Sequence, residues 1–200
     1  MKEKNLNSKV VNRLLKLPGK VRGVVFQTDG YYILKKAGED GLKKVEEKAQ
    51  KLGVSIPYRK NSALDWYPAG LRAISLLLIK ETFKLSNKEI RNIGYTAPKV
   101  SLIVKLLMKF FVSPKKFIEK IPHYWRQHWS VGELQVVEFD SDNKKLVLRL
   151  KGINLSPIFC LYEEGYFQKM WEFVMGKAKC KETKCTFKGN RYHEYILKGE

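Results

Sequence analysis

The chain has 200 residues, 44% of them apolar, which suits one cored domain with or without an appendage. Its 39 Lys and Arg against 20 Asp and Glu give a formal charge of +19, which admits nucleic acid, a membrane surface or an acidic protein as partner. The lysine pairs Lys35-Lys36, Lys43-Lys44, Lys115-Lys116 and Lys144-Lys145 fall in different elements, however, so the pattern reads as solvated faces and points away from nucleic acid. Three cysteines is an odd number and the opening MKEKNLNSKVV is charged, so no export signal is expected and reduced thiols in the cytoplasm are. The runs ISLLLI and KVSLIVKLLMKFFV are too short or too broken by lysine for a bilayer span, which needs about 18–20 apolar residues, and no transmembrane segment is expected.

The first predicted element is a helix over residues 8–17, carrying Val11, Leu14 and Leu15 and ended by Pro18-Gly19. VRGVVFQ is a β-branched strand or extended lead-in. Thr28 and Asp29 then cap a short helix GYYILKKA, which Gly38 ends. EDGLKKVEEKAQKL opens with acids and closes with lysine, as a helix dipole favours, and buries Leu42, Val45, Ala49 and Leu52. A further helix starts at the N-cap Asp65, with Pro68 in its first turn and Ile74, Leu77 and Leu78 on its buried stripe. SNKEIRNIG begins with a Ser86–Glu89 capping box and stops at Gly94. APKVSLIVKLLMKFF is an apolar, central helix. SPKKFIEKIPHYWRQHW has Ser113 as cap and Pro114 at its first position, and Pro122 is expected to kink or break it.

After Gly132 the hydrophobic period changes to two. ELQVVEFD and KKLVLRL are strands joined by Ser141-Asp142-Asn143. A helix capped by Ser156 with Pro157 at its first turn carries Phe159, Tyr162, Tyr166, Phe167, Met170 and Phe173. KAKCKETKCTF and RYHEYIL close the chain as a hairpin. The fold class is α+β: helices first, then two strands, a helix and two strands.

The terminal ETKCTFKGNRYHEYIL resembles the signature of 4-vinyl-reductase domains, with Glu182, Cys185, Gly189 and Asn190 matching, and PIFCLYEEGYFQKM matches through Cys160 and Gly165. His193 stands where that family carries a second cysteine eight positions after the first, and Tyr195 fills its aromatic place. The stretch RGVVFQTDGYYILKKAGEDGLKKVEEKAQKLG resembles the related haem–nitric-oxide-binding domains, and PHYWRQHWSVGELQVVEFDSDNKKLVLRLKG is similar to bacterial domains of the same fold. The resemblance covers most of residues 21–198, which sets residues 1–20 apart as a helical appendage. It implies a helical layer on an antiparallel sheet with a ligand cavity between them. The propionate-binding Tyr-x-Ser-x-Arg motif of the haem branch is absent, which points away from haem although His123 and His128 lie in one helix.

Within the hairpin, Cys185 and His193 fall on opposite faces if the turn is the two-residue Gly189-Asn190, and opposite each other on one face if it is a three-residue turn over 188–190. The resemblance pairs these two positions and adds Cys160, three positions at which the family is proposed to hold a metal. Zinc suits thiolate and imidazole ligands, with a fourth place for water, ligand or another residue. Plain core packing is the alternative, and Cys180, outside the family pattern, is expected to be structural. A Cys–His nucleophile pair would lack an orienting acid other than Glu182 or Glu194. No phosphate loop, nucleophile elbow, or nicotinamide or flavin motif is visible, so the chain reads as non-catalytic.

The aromatic clusters suggest cavity walls. Trp66, Trp125, Tyr166 and Trp171 are candidate ligand contacts, with Arg72 and Arg126 as carboxylate or phosphate anchors. The reading is a sensor or carrier for a small apolar or lipid-like ligand. A helix-mediated interaction or dimerisation module is the alternative, because the resemblance extends to subunits of the vesicle-tethering TRAPP complex. Without a recognisable output motif, any signal is expected to pass to a separate protein.

Overall fold

The computed structural model describes residues 6–59, 63–101, 104 and 113–200. Most of the expected central helix after Val100 therefore lies outside the described residues. Helix α1 (Ser8–Leu15) is capped by Asn7, whose side chain accepts from the Val10 amide at 3.0 Å. Val11 and Leu14 are buried against α3 (Gly70–Thr82), so the residues expected to form an appendage share the main core. Strand β1 (Lys20–Arg22) pairs antiparallel with β2 (Trp66–Pro68).

Helix α2 spans Val24–Lys51 and bends at Gly38, where φ is 63°. A side chain resists that conformation, so the glycine sets the junction, as expected. The start differs from expectation. Thr28 and Asp29 lie inside the helix, with Thr28 Oγ1 donating to the Val25 carbonyl at 2.8 Å. Asp29 does not cap because its carboxylate is taken by Arg72 and Ser75 of α3. Asp65 likewise starts no helix: Trp66–Pro68 is consumed by the β1 ladder, and α3 begins only at Gly70.

Helix α4 (Asn87–Val100) has the expected reciprocal capping box, with Glu89 amide to Ser86 Oγ at 3.3 Å and Ser86 amide to Glu89 Oε2 at 2.8 Å. It does not stop at Gly94. That residue is where α4 crosses α6 (Pro157–Met175): a Cβ there would lie 1.9 Å from the Tyr162 carbonyl oxygen, and one at Gly165 would lie 1.9 Å from that of Arg91. The two glycines let the helix backbones touch.

Helix α5 (Pro114–His128) is capped by Ser113 and runs through Pro122 unbroken. The lost hydrogen bond is outweighed by its buried face of Phe117, Ile118, Ile121 and Trp125, which spans both sides of the proline. The strands β3 (Glu133–Asp140), β4 (Lys145–Lys151), β5 (Ala178–Lys184) and β6 (His193–Gly199) form an antiparallel sheet of order β3-β4-β6-β5. Helices α5 and α6 lie against it, α5 on β3 and α6 on β5 and β6. The architecture is α+β, helices packed on a C-terminal antiparallel sheet. Among the described residues no helix is long and apolar enough to cross a membrane.

Candidate functional site

Two features stand out, and α6 contributes to both. The first is a cavity of about 100 Å³ between the helices and the sheet. Its wall is largely apolar: Trp125 and Trp129 of the α5 end, Phe167 and Trp171 of α6, Leu148 of β4 and Leu197 of β6. The tryptophans are fixed in place. Trp125 Nε1 donates to the carbonyls of Val131 and Gly132 at 3.1 and 3.2 Å, and its ring stacks on Trp129 with centroids 5.4 Å apart.

Polar residues interrupt that wall, among them Arg72, His128 and Glu163. Arg72 is fully buried; its Nη1 donates to Asp29 Oδ2, and Ser75 Oγ donates to the same oxygen at 2.5 Å. Its guanidinium lies over the Tyr162 ring, 4.1 Å from the centroid. Among the described residues, Arg72 Nε and Nη2 have no hydrogen-bond partner, nor do His128 Nε2 and Trp171 Nε1. Burial pushes the Asp29 carboxyl up, opposed by the Arg72 charge beside it, and raises Glu163 to about 8. Burial lowers His128. Its Nδ1 faces the Tyr124 carbonyl at 3.0 Å, which can only accept, so Nδ1 carries the proton and Nε2 presents a bare lone pair.

Of the side chains expected on a ligand wall, Arg72, Trp125, Tyr166 and Trp171 are brought together here. Trp66 is not: it lies 37% exposed on β2 under the Arg22 guanidinium. Arg126 is not either, since it points to solvent from α5 while Trp125 points inward. His128 and Glu163 were missed as wall residues. Their three-residue offset from Trp125 and Tyr166, which keeps each on the same helix face as its neighbour, was the available signal.

The second feature is a cluster of Cys160, Glu182, Cys185 and His193, whose ligand atoms all lie within 4.8 Å of one another. Cys160 comes from α6, Glu182 from β5 and His193 from β6. Cys185 opens the short 3₁₀ turn Thr186–Lys188. The convergence expected of Cys160, Cys185 and His193 is present, but the route differs. A bulge at Thr183 shifts the β5–β6 register from Glu182↔Tyr195 to Lys184↔Glu194, and continuing that register sets Cys185 against His193. The extra residue sits in the strand, and the loop is longer than three residues.

Two of the distances match the edges of a tetrahedral site. Cys160 Sγ lies 3.9 Å from Cys185 Sγ and 3.5 Å from His193 Nδ1. Zinc–sulfur bonds of about 2.3 Å and zinc–nitrogen bonds of about 2.0–2.1 Å give tetrahedral edges of about 3.8 Å for S···S and about 3.5 Å for S···N. The imidazole is oriented as a ligand would be. Thr186 Oγ1 donates to Asn154 Oδ1 at 2.7 Å, so it accepts from His193 Nε2 at 2.9 Å. That leaves the Nδ1 lone pair facing Glu182 Oε1 at 3.0 Å. Two acceptors in contact call for a proton or a cation between them. Burial pushes the Cys160 and Cys185 thiols up, so neither is a ready thiolate nucleophile by itself. Cys180 is buried in β5 outside the cluster, and its carbonyl accepts from Arg91 Nη2 at 2.7 Å.

By sequence, no protein-family model and no curated protein matches the chain. By structure, it is similar to an H-NOX protein from S. oneidensis in the Fe(II)NO ligation state, at 13% identity and a TM-score of 0.67, covering 88% of this chain and 97% of that one. It is similar to a mutant of the Fe(II) unliganded H-NOX protein from K. algicida, at 16% identity and a TM-score of 0.64, covering 90% and 97%. It is also similar to trafficking protein particle complex subunit 3 from Naegleria fowleri, covalently bound to palmitic acid, at 14% identity and a TM-score of 0.50, covering 66% and 94%. At these identities the likeness establishes the fold, that of the haem–nitric-oxide-binding domains. Among the described residues, the cavity does not fit a haem. The cavity is well below the roughly 300 Å³ at which drug-sized pockets begin, and a tetrapyrrole is larger than most such ligands. A single unpartnered imidazole, His128, reaches the cavity among the described residues, and no second cation accompanies Arg72 there to neutralise two propionates.

Proposed function

We propose that this chain binds a small, mainly apolar molecule in the cavity without transforming it, as a sensor or carrier, and that zinc held by Cys160, Glu182, Cys185 and His193 fixes the terminal hairpin. The observation that carries the reading is the cavity, a void walled by pinned aromatic side chains where an interaction module would have a filled core. The structural neighbours are compatible: an H-NOX protein is described with iron-bound nitric oxide and a TRAPP subunit with palmitic acid. Zinc supplies charge to settle two thiolates, a carboxylate and an imidazole, a donor set that suits it and that closes the site to chemistry. Free thiols in the ligand set fit a reducing compartment, read here as the cytoplasm. Native mass spectrometry of protein purified from its own host tests both halves. The expected spectrum shows one zinc and a bound organic molecule of small mass. A bare chain after zinc-replete growth would overturn the reading.

A further inference from the structure

Among the described residues, the cavity's one buried cation is only half used. Arg72 has five N–H donors; Nη1 serves Asp29, while Nε and Nη2 lie buried without a partner. Nε and Nη2 share one edge of the guanidinium plane, the edge that meets two oxygens side by side. Accepting the cavity as a ligand site, as proposed above, we infer that its ligand is a small monocarboxylate whose two oxygens take the Arg72 Nε–Nη2 edge while its apolar body fills the space among Trp125, Phe167 and Trp171.

Three further observations narrow the class. First, size: an engineered apolar cavity of about 150 Å³ holds benzene, so a void of about 100 Å³ sets a single six-membered ring or a short chain as the upper bound for the body. Long-chain lipids exceed it. Second, shape: a carboxylate presents two coplanar oxygens to two coplanar donors, whereas a phosphate brings a third and fourth oxygen and more charge than one half-neutralised arginine can settle. Third, orientation: Asp29 and Ser75 hold Nη1, and the Tyr162 ring lies against the guanidinium face, so the free edge is fixed before a ligand arrives. Asp29 is thus a positioning residue for Arg72. Leaving two buried N–H groups unmatched is costly, so a ligand acceptor gains more here than on a solvated arginine.

The test is calorimetric titration of the full-length protein with benzoate and with benzyl alcohol, its uncharged counterpart of similar size. Benzoate is expected to bind at one equivalent, at least tenfold tighter than benzyl alcohol. Arg72→Lys keeps the charge toward Asp29 but removes the two-donor edge; it should weaken benzoate tenfold or more and leave benzyl alcohol within about twofold. If Arg72→Lys does not fold, the wild-type comparison of the two probes decides alone. Benzyl alcohol binding as tightly as benzoate would overturn the carboxylate assignment and leave the cavity standing. Failure of both probes to bind would overturn the cavity reading and this inference with it.

Discussion

The cavity and the hairpin cluster are built along the same helix by opposite means. Around the cavity, the polar residues are scattered through an apolar wall and come from several elements: Arg72 from α3, His128 from α5 and Glu163 from α6. In the cluster, four donors converge from a 34-residue stretch of chain, 160 to 193, and leave no apolar face between them. At the cavity the Arg72 and Trp171 N–H groups lack acceptors and the His128 lone pair lacks a donor; in the cluster, facing acceptors lack a cation. The difference teaches that a binding surface is read from what each buried group still lacks, and that the two sites should respond to different ligands.

The largest test of that contrast is on the cavity side. Arg72→Met leaves Asp29 buried and unpaired, and it should cost on the order of 3–5 kcal/mol in urea denaturation. Asp29→Asn combined with Arg72→Met should recover part of that loss, because no charge is then stranded. A single-mutant cost near zero would show that the pair contributes nothing to the wall.

On the hairpin side, removing zinc should lower stability by about 3–4 kcal/mol when free zinc had been held at a hundred to a thousand times its dissociation constant. Thermal unfolding with and without a chelator measures it. His193→Ala and Cys160→Ser should each weaken zinc without weakening benzoate, and zinc affinity should fall as pH is lowered, because binding displaces thiol protons. Zinc-independent unfolding would reduce the cluster to core packing.

The last test is a slope with pH and concerns Glu163. Its ordinary value is 4.5 and burial raises it to about 8, so the folded chain holds this proton more tightly than the unfolded one. Its contribution to stability is full below about pH 4.5 and is lost as pH rises through about 8, at up to about 1.4 kcal/mol per pH unit. Glu163→Gln should flatten the fall in stability between pH 5 and 8. An unchanged slope would place a different group behind it.

The two regions also differed in how much the sequence disclosed. The cluster was legible because its ligands sit in one hairpin and one nearby helix, where spacing constrains faces. Even there the register came from a bulge at Thr183, which no turn rule foretells, and Glu182 entered as a signature match and an orienting acid, not as a fourth metal ligand. The capping box at Ser86 and Glu89 and the Ser113-Pro114 start were legible because they are local. The cavity's polar end was not. Asp29 looks like a cap until Arg72, 43 residues away, claims it. Gly94 looks like a stop until α6 needs its missing Cβ. Trp66 and Arg126 looked like wall residues because composition shows aromatic and cationic side chains without showing which way they face.

The chain's four tryptophans provide the most direct measurement. Trp125, Trp129 and Trp171 line the cavity, and Trp66 lies exposed on the two-stranded ladder as an internal control. In a ¹⁵N–¹H correlation spectrum, titration with benzoate should shift the indole N–H signals of Trp125, Trp129 and Trp171 along one saturable curve while that of Trp66 stays in place. Three unmoved cavity signals, or a shift confined to Trp66, would contradict the account.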